Sequence, residues 1–248
     1  MTGFLAALQF LTPFPIKRGF TGEQIGRSTG YFPIVGLIIG GVTVGLNYVF
    51  GMLLPSGIVN VLLVVSMVIF SGALHLDGLL DTCDGIAGHG TPEKRWKVMH
   101  DSRIGGFGAI GSTLLLLTKY VALNSIPVSM MMVSLAITPV ISRWAMVFAI
   151  FSYPYARPSG LGKVFKEETG RRQMMTATLV TVALSLFLWR MYGLVIIAAV
   201  LLLTVVIAFY LKRKFAGLTG DVYGAINELI EVAIFVLVAL LSYKNWLG

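Results

Sequence analysis

The amino-acid sequence predicts an all-α protein whose helices cross a membrane about seven times. Its 248 residues are 56% hydrophobic and only 12% charged, whereas a soluble domain carries about a quarter charged residues. The charges are clustered, and between the clusters lie stretches of the roughly 20 apolar residues that a membrane helix needs. No internal repeat or polar linker is evident, so residues 1–248 are expected to form one integral membrane domain.

The N-terminal segment, residues 1–27, is predicted to begin with a short helix at the membrane surface. Phe4, Leu8 and Leu11 recur at helical spacing, and Pro13 ends the pattern. No basic leader precedes this apolar segment, so a cleaved signal peptide is not expected.

The apolar stretches that follow predict seven spans. They cover residues 29–54, 57–75, 107–126, 129–151, 174–190, 192–211 and 225–243. If the N-terminus is cytoplasmic, 15 of the 19 basic residues fall on that side. Excess Lys and Arg mark cytoplasmic loops, so we expect an inner-membrane protein with a cytoplasmic N-terminus and an external C-terminus.

Three aspartates follow the second predicted span at spacing i, i+4, i+7. On a helix, Asp77, Asp81 and Asp84 fall within about 60° of one another, so their charges repel. A divalent cation would relieve that repulsion, and oxygen ligands favour Mg²⁺ or Mn²⁺. The alternative is a solvated acidic helix end.

Basic residues follow in the same loop. Lys94, Arg95, Lys97 and Arg103 could bind phosphate, and carboxylates with cations are the usual groups for phosphoryl transfer. Anchoring of the loop on the cytoplasmic side explains Lys94 and Lys97 as well.

A glycine-rich run closes this region. Asp101 and Arg103 flank Ser102 and precede the glycines within 105–108. Glycines would let the backbone approach a phosphate, although close helix packing explains them equally well.

A second acidic group opens the last span. If residues 221–228 are helical, Asp221 and Glu228 share a face and could complete a second metal site or bind a polar ligand. Capping of the helix N-terminus by Asp221 is the alternative.

Ionisable residues also occur within the spans. Arg143 and Lys119 are expected to face the bundle interior or a wet cavity, unless Lys119 snorkels to the membrane surface. His75, His89 and His100 lack a metal-ligand spacing, so zinc is not expected.

The motifs at 74–85 (LHLDGLLDTCDG) and 100–108 (HDSRIGGFG) resemble the cobalamin synthase family, the adenosylcobinamide-GDP ribazoletransferases. Other segments agree in the same order. They are FLTPFP at 10–15, YFPIVGLIIG at 31–40, SRWAMV at 142–147, YARPSGLG at 155–162 and GLTGDVYGA at 217–225.

This resemblance implies a membrane-embedded transferase in a single catalytic domain. The 3′-hydroxyl of α-ribazole, or of its 5′-phosphate, would attack the corrinoid-side phosphorus of adenosylcobinamide-GDP and release GMP. Mg²⁺ is the expected cofactor, Mn²⁺ a substitute, and the bilayer a partner. Nucleic acid is not expected, while a homo-oligomer or association with other cobalamin-assembly enzymes is left open.

Roles for individual residues follow from combining this reaction with the charged residues. Asp77, Asp81 and Asp84 would hold the metal, Arg103 and Arg95 would stabilise the phosphates, and Asp84 or Asp101 would accept the hydroxyl proton. Further substrate contacts are assigned to four other residues. They are Lys94, Arg143, Asp221 and Glu228.

Three other functions remain as alternatives. A CDP-alcohol phosphotransferase would match Asp81, Asp84 and Gly85, but residues 88–89 replace the Ala-Arg pair of that family's pattern. A cation-coupled transporter would place its acids near the bilayer midplane. A structural subunit would tolerate Asp→Asn changes in the cluster.

Overall fold

The computed structural model describes residues 2–101 and 103–244, so Ser102 lies outside the described residues. Over these two ranges the chain forms α-helices, a 3₁₀ turn at Arg27–Tyr31 and no strand. The α-helices, in chain order, are α1 (Thr2–Leu11), α2 (Gly22–Gly26), α3 (Phe32–Gly51), α4 (Ser56–Phe70), α5 (Leu74–Ala87), α6 (Pro92–Met99), α7 (Gly106–Asn124), α8 (Val128–Ser152), α9 (Leu161–Glu168), α10 (Arg171–Phe215) and α11 (Gly220–Tyr243). The predicted all-α class is confirmed.

Several of these helices are long and apolar enough to cross a membrane. Within the described residues there are five such stretches, and a sixth is added if α4 and α5, which are bent by 88°, form one span. The protein is therefore a polytopic membrane protein. The predicted count of about seven spans is not confirmed.

The longest helix, α10, is interrupted at Arg190, where φ is 51° and ψ is −135°. A Cβ added at Gly193 would lie 2.6 Å from the carbonyl oxygen of Ser185. Residues eight apart on a straight helix are about 12 Å apart, so the chain reverses here. This reversal falls at the boundary between the predicted spans 174–190 and 192–211.

Helix α8 lies at the centre of the bundle and packs against α3, α10 and α11. Its contact with α3 is close because a Cβ at Gly36 or Gly40 would collide with the α8 backbone at Pro139 or Ala136. Small residues allow such approach between membrane helices. Apolar side chains on the outside, such as Leu202, are exposed and form the lipid-facing surface.

The predicted N-terminal helix is present as α1, which ends at Leu11, two residues before Pro13. Ala6, Ala7 and Leu11 are buried, and the helix packs on the 3₁₀ turn and on α3. Its position at the membrane surface stays a prediction.

Candidate active site

Helix α5 carries the three predicted aspartates, as the spacing indicated. Gly72 and Ala73 adopt positive φ values of 60° and 57°, and this turn redirects the chain after α4. A Cβ added at Gly78 would lie 2.6 Å from the carbonyl oxygen of Asp221. The glycine therefore lets α5 cross the beginning of α11 in close contact.

This crossing brings carboxylates from two helices together. Asp77 is exposed, whereas Asp81 and Asp221 are half-buried. Helix α5, which carries Asp77 and Asp81, has 14 residues and is too short to cross a membrane without α4. Burial, together with the neighbouring carboxylates of Asp221, Asp77 and Asp84, raises the pKa of Asp81 to about 7 against the opposing effect of Arg157.

Arg157 supplies the positive charge beside this cluster. Its Nη2 lies 2.9 Å from Oδ2 of Asp221. Two backbone hydrogen bonds join the loop before α9 to the loop before α11. The Ala156 N–H donates to the Leu218 carbonyl at 2.8 Å, and the Leu218 N–H donates to the Pro154 carbonyl at 2.9 Å. Sequence reasoning counted Arg157 only as a topological charge.

Asp84 has a different environment from the other two aspartates of α5. It is buried, and its two oxygens accept hydrogen bonds from the backbone N–H groups of Gly105 at 3.0 Å and Gly108 at 2.8 Å. A Cβ at either glycine would collide with this carboxylate. The predicted glycine run thus encloses Asp84, whose carboxylate holds the start of α7.

The metal ligands that the sequence suggests, Asp77, Asp81 and Asp84, stay a prediction, and the structure shows how carboxylates are arranged around them. Among residues 2–101 and 103–244, no group of three or more His, Cys, Asp or Glu side chains is arranged to hold a metal ion by itself. Asp81 lies near enough to Asp221 and Asp77 for their charges to raise its pKa. Mg²⁺ is commonly held by one or two carboxylates together with substrate phosphates, and this donor set fits that mode.

A cavity of about 240 Å³ lies over this part of α5. Asp77 and Asp81 line it from one helix, and Asp101 and Arg103 line it from the loop that follows α6. This arrangement places two predicted loop residues in the same cavity as two carboxylates of α5; their binding of phosphate stays a prediction.

Asp101 and Arg103 form an exposed pair with each other. Arg103 Nε and Nη2 donate to the two oxygens of Asp101 at 3.0 and 2.8 Å. These hydrogen bonds lower the pKa of Asp101 to about 2, which makes it a weak proton acceptor near neutral pH.

Two further predicted loop residues, Arg95 and Lys94, lie near the end of α5, and Lys97 is exposed. Nη1 of Arg95 donates to the carbonyl oxygens of Gly85 at 3.0 Å and Ile86 at 2.7 Å. The guanidinium thereby caps the helix C-terminus. Lys94 is exposed, with its side chain beside Gly90.

Arg143 and Glu228 lie in a buried ion network inside the bundle. Lys119 Nζ lies 2.8 Å from Glu228 and 2.9 Å from Glu231, and Arg143 pairs with Glu231. Lys119 therefore faces the interior and does not snorkel. Glu228 meets cations here instead of sharing a metal site with Asp221, and the direct substrate contacts predicted for Arg143 and Glu228 remain a prediction.

A model of the cobalamin-5-phosphate synthase family matches residues 3–239. The chain belongs to this family. The match includes α5, the loop that carries Arg157 and the start of α11, so the whole candidate site lies within the cobalamin-5-phosphate synthase region.

Curated relatives agree with this assignment. Proteins named adenosylcobinamide-GDP ribazoletransferase are 39% identical in Syntrophobacter fumaroxidans (92% of this chain, 94% of the relative), 37% identical in Geotalea daltonii (92% and 93%) and 34% identical in Desulforamulus reducens (94% of each). No solved structure matches the chain.

Proposed function

We propose that this protein is an adenosylcobinamide-GDP ribazoletransferase that completes the nucleotide loop of cobalamin. The 3′-oxygen of α-ribazole, or of its 5′-phosphate, forms a bond to the corrinoid-side phosphorus. The bond from that phosphorus to the bridging oxygen breaks, and GMP leaves with this oxygen. The product is adenosylcobalamin or its 5′-phosphate.

The observation that supports this reaction most directly is the proximity of the Asp81 and Asp221 carboxylates, from α5 and α11. Arg157 pairs with Asp221, and Arg103 lines the same cavity as Asp81. Asp81 and Asp221 would hold Mg²⁺ or Mn²⁺. When bound, such an ion neutralises charge on the diphosphate. Arg157 and Arg103 would bind phosphate oxygens, since guanidinium groups match their geometry.

Asp77 is the best-placed acceptor for the hydroxyl proton. It is exposed to the cavity, whereas the oxygens of Asp84 are occupied by backbone N–H groups. Asp101 is a poorer base because its pair with Arg103 lowers its pKa to about 2. Asp77 therefore replaces both residues in the proposed mechanism.

The site is proposed to face the cytoplasm from the inner membrane. The loops that contain Arg103 and Arg157 carry many of the basic residues, and such loops are retained on the cytoplasmic side. The nucleoside and the activated corrinoid would then enter from the cytoplasm.

A turnover assay tests the proposal. Purified protein in liposomes is supplied with adenosylcobinamide-GDP, α-ribazole and Mg²⁺, and GMP and the corrinoid product are measured. We expect both products from the wild type, none in EDTA, and turnover lowered about 10²–10³-fold in Asp81→Asn. Glu23→Gln, at an exposed acid far from α5 in the sequence, should behave as the wild type. Folded wild-type protein that releases no GMP would refute the proposed function.

A further inference from the structure

We infer that a second, larger cavity beside the carboxylates binds the acceptor nucleoside, α-ribazole, and this inference rests on the proposed function. The cavity has a volume of about 360 Å³, at the small end of ligand pockets, which span about 300–1,000 Å³. Asp77 and Asp221 lie in its lining. We call it the acceptor cavity.

One wall of the acceptor cavity is aromatic. Phe10, Phe32 and Phe165 all line it. Their ring centroids lie 4.6 Å apart for Phe10 and Phe165, 5.6 Å for Phe32 and Phe165, and 6.0 Å for Phe10 and Phe32. A planar bicyclic base such as benzimidazole would pack against such rings.

Three polar atoms of the lining residues are buried without a hydrogen-bond partner among the described residues. They are Nε2 of His75, Oη of Tyr223 and Nε of Arg157. Native proteins rarely leave buried polar atoms unpaired unless a ligand or water completes them. Three such atoms around one cavity indicate a site built for a ligand.

The hydrogen bonds of His75 define what that ligand must offer. Nδ1 of His75 lies 3.0 Å from the amide nitrogen, Nδ2, of Asn227. That amide nitrogen also lies 3.4 Å from a carboxylate oxygen of Glu231. A carboxylate oxygen accepts hydrogen bonds, so the amide nitrogen of Asn227 donates to Glu231. The same amide group donates its other hydrogen to His75, and Nδ1 of His75 is therefore an acceptor. In the neutral imidazole the proton then sits on Nε2, which needs an acceptor atom from the ligand.

α-Ribazole matches these requirements better than the other substrate. Its benzimidazole is largely hydrocarbon with one free ring nitrogen, an acceptor, and its ribose oxygens accept as well. Guanine carries several donors and acceptors on its edge, and burying them unpaired beside a phenyl wall would be costly. A corrinoid ring is too large for this volume.

The position of Asp77 links the acceptor cavity to the reaction. This residue lines both the acceptor cavity and the smaller cavity formed with Asp81 and Arg103. A nucleoside whose base lies against the phenyl wall would present its ribose at this boundary. Its 3′-hydroxyl would then lie between Asp77, which takes the proton, and the diphosphate in the smaller cavity.

The Tyr223→Phe variant tests this assignment because it removes only a hydroxyl group. Removing an unpaired buried hydroxyl should leave the thermal midpoint of the ligand-free protein unchanged or raised. We expect KM for α-ribazole to rise about 5–10-fold, with KM for adenosylcobinamide-GDP unchanged. The matched control is Tyr153→Phe, because that hydroxyl donates to the Val205 carbonyl and should alter neither KM.

A steric variant gives a second test. Gly220 lines the acceptor cavity, and a Cβ added there meets no atom within 4 Å. Gly220→Ala should therefore stay near the wild type, whereas the longer side chain of Gly220→Leu should take up space in the cavity and raise KM for α-ribazole at least about tenfold.

The outcomes separate the two levels of the proposal. If the wild type is active and both variants leave KM for α-ribazole unchanged, or raise only KM for adenosylcobinamide-GDP, the cavity assignment is overturned and the function stands. If the wild type converts neither substrate, the function fails and the assignment falls with it.

Discussion

Asp84 and Asp81 lie one helical turn apart but should respond oppositely to replacement by asparagine. The buried carboxylate of Asp84 accepts N–H groups at 3.0 and 2.8 Å, and a hydrogen bond to a charged group contributes about 1.5–3 kcal/mol. Asparagine keeps only one acceptor oxygen. Its amide NH₂ group would face the second backbone N–H, so two hydrogen-bond donors would oppose each other. Asp84→Asn should therefore lower the free energy of unfolding by about 2–4 kcal/mol.

The environment of Asp81, in contrast, favours the protonated carboxyl group over the carboxylate. Its pKa is about 7 in the folded protein, raised from 3.8, so between these values the folded state binds more protons than the unfolded state. Stability therefore falls as pH rises through this window. Above pH 7, Asp81→Asn should leave stability unchanged or raise it by about 1–2 kcal/mol once solvent screening is included, although turnover falls about 10²–10³-fold.

The assay is thermal unfolding of the purified variants in detergent at pH 8 with EDTA, and GMP release is measured separately with Mg²⁺. Asp84→Asn should unfold several degrees below the wild type, and Asp81→Asn at or above it. Glu23→Gln serves as the exposed control. Equal losses of stability in both aspartate variants, or a loss confined to Asp81→Asn, would refute the assignment of a structural role to Asp84.

Three other features can be tested by substitution or by pH. Arg157→Lys keeps the charge but loses the planar fork that faces Asp221, so kcat/KM should fall about 10–100-fold with unchanged secondary structure by circular dichroism; an undiminished rate would remove Arg157 from the site. Because protons compete with Mg²⁺ for Asp81, whose pKa is about 7, the Mg²⁺ concentration for half-maximal GMP release should rise about tenfold from pH 8 to pH 6; a flat profile would contradict a ligand role. Lys119→Met leaves two buried carboxylates without their shared cation and should destabilise the protein by about 3–5 kcal/mol in thermal unfolding. Adding Glu228→Gln should recover part of that loss, and no recovery would mean that the two residues are not coupled.

Local patterns in the sequence predicted much of the fold. The i, i+4, i+7 spacing of Asp77, Asp81 and Asp84 predicted the helix that carries them, and the two short apolar stretches around Arg190 predicted the division of α10. These features depend on neighbours in sequence, where helical periodicity is informative. The predicted cation site at Asp77, Asp81 and Asp84 stays a prediction.

Long-range contacts were beyond the sequence patterns. A shared helical face suggested that Asp84 acts with Asp81, but the loop at Gly105 returns to bind its carboxylate. The pairing of Arg157 with Asp221 depends on two loops that meet only in the folded chain. The one available signal for these contacts was glycine. Gly78 marks a place where another backbone can approach α5 closely, but it does not indicate which helix approaches.

The buried ion network has a consequence for how the protein is made. Lys119 and Arg143 lie on α7 and α8, whereas their partners Glu228 and Glu231 lie on α11, the last helix of the described residues. During synthesis the two cations enter the bilayer before any compensating charge exists, at about 2.5–3.5 kcal/mol for each in a helix centre. Synthesis and insertion of α11 therefore neutralise the interior, and a chain truncated before Glu228 would keep two unpaired charges inside the bundle.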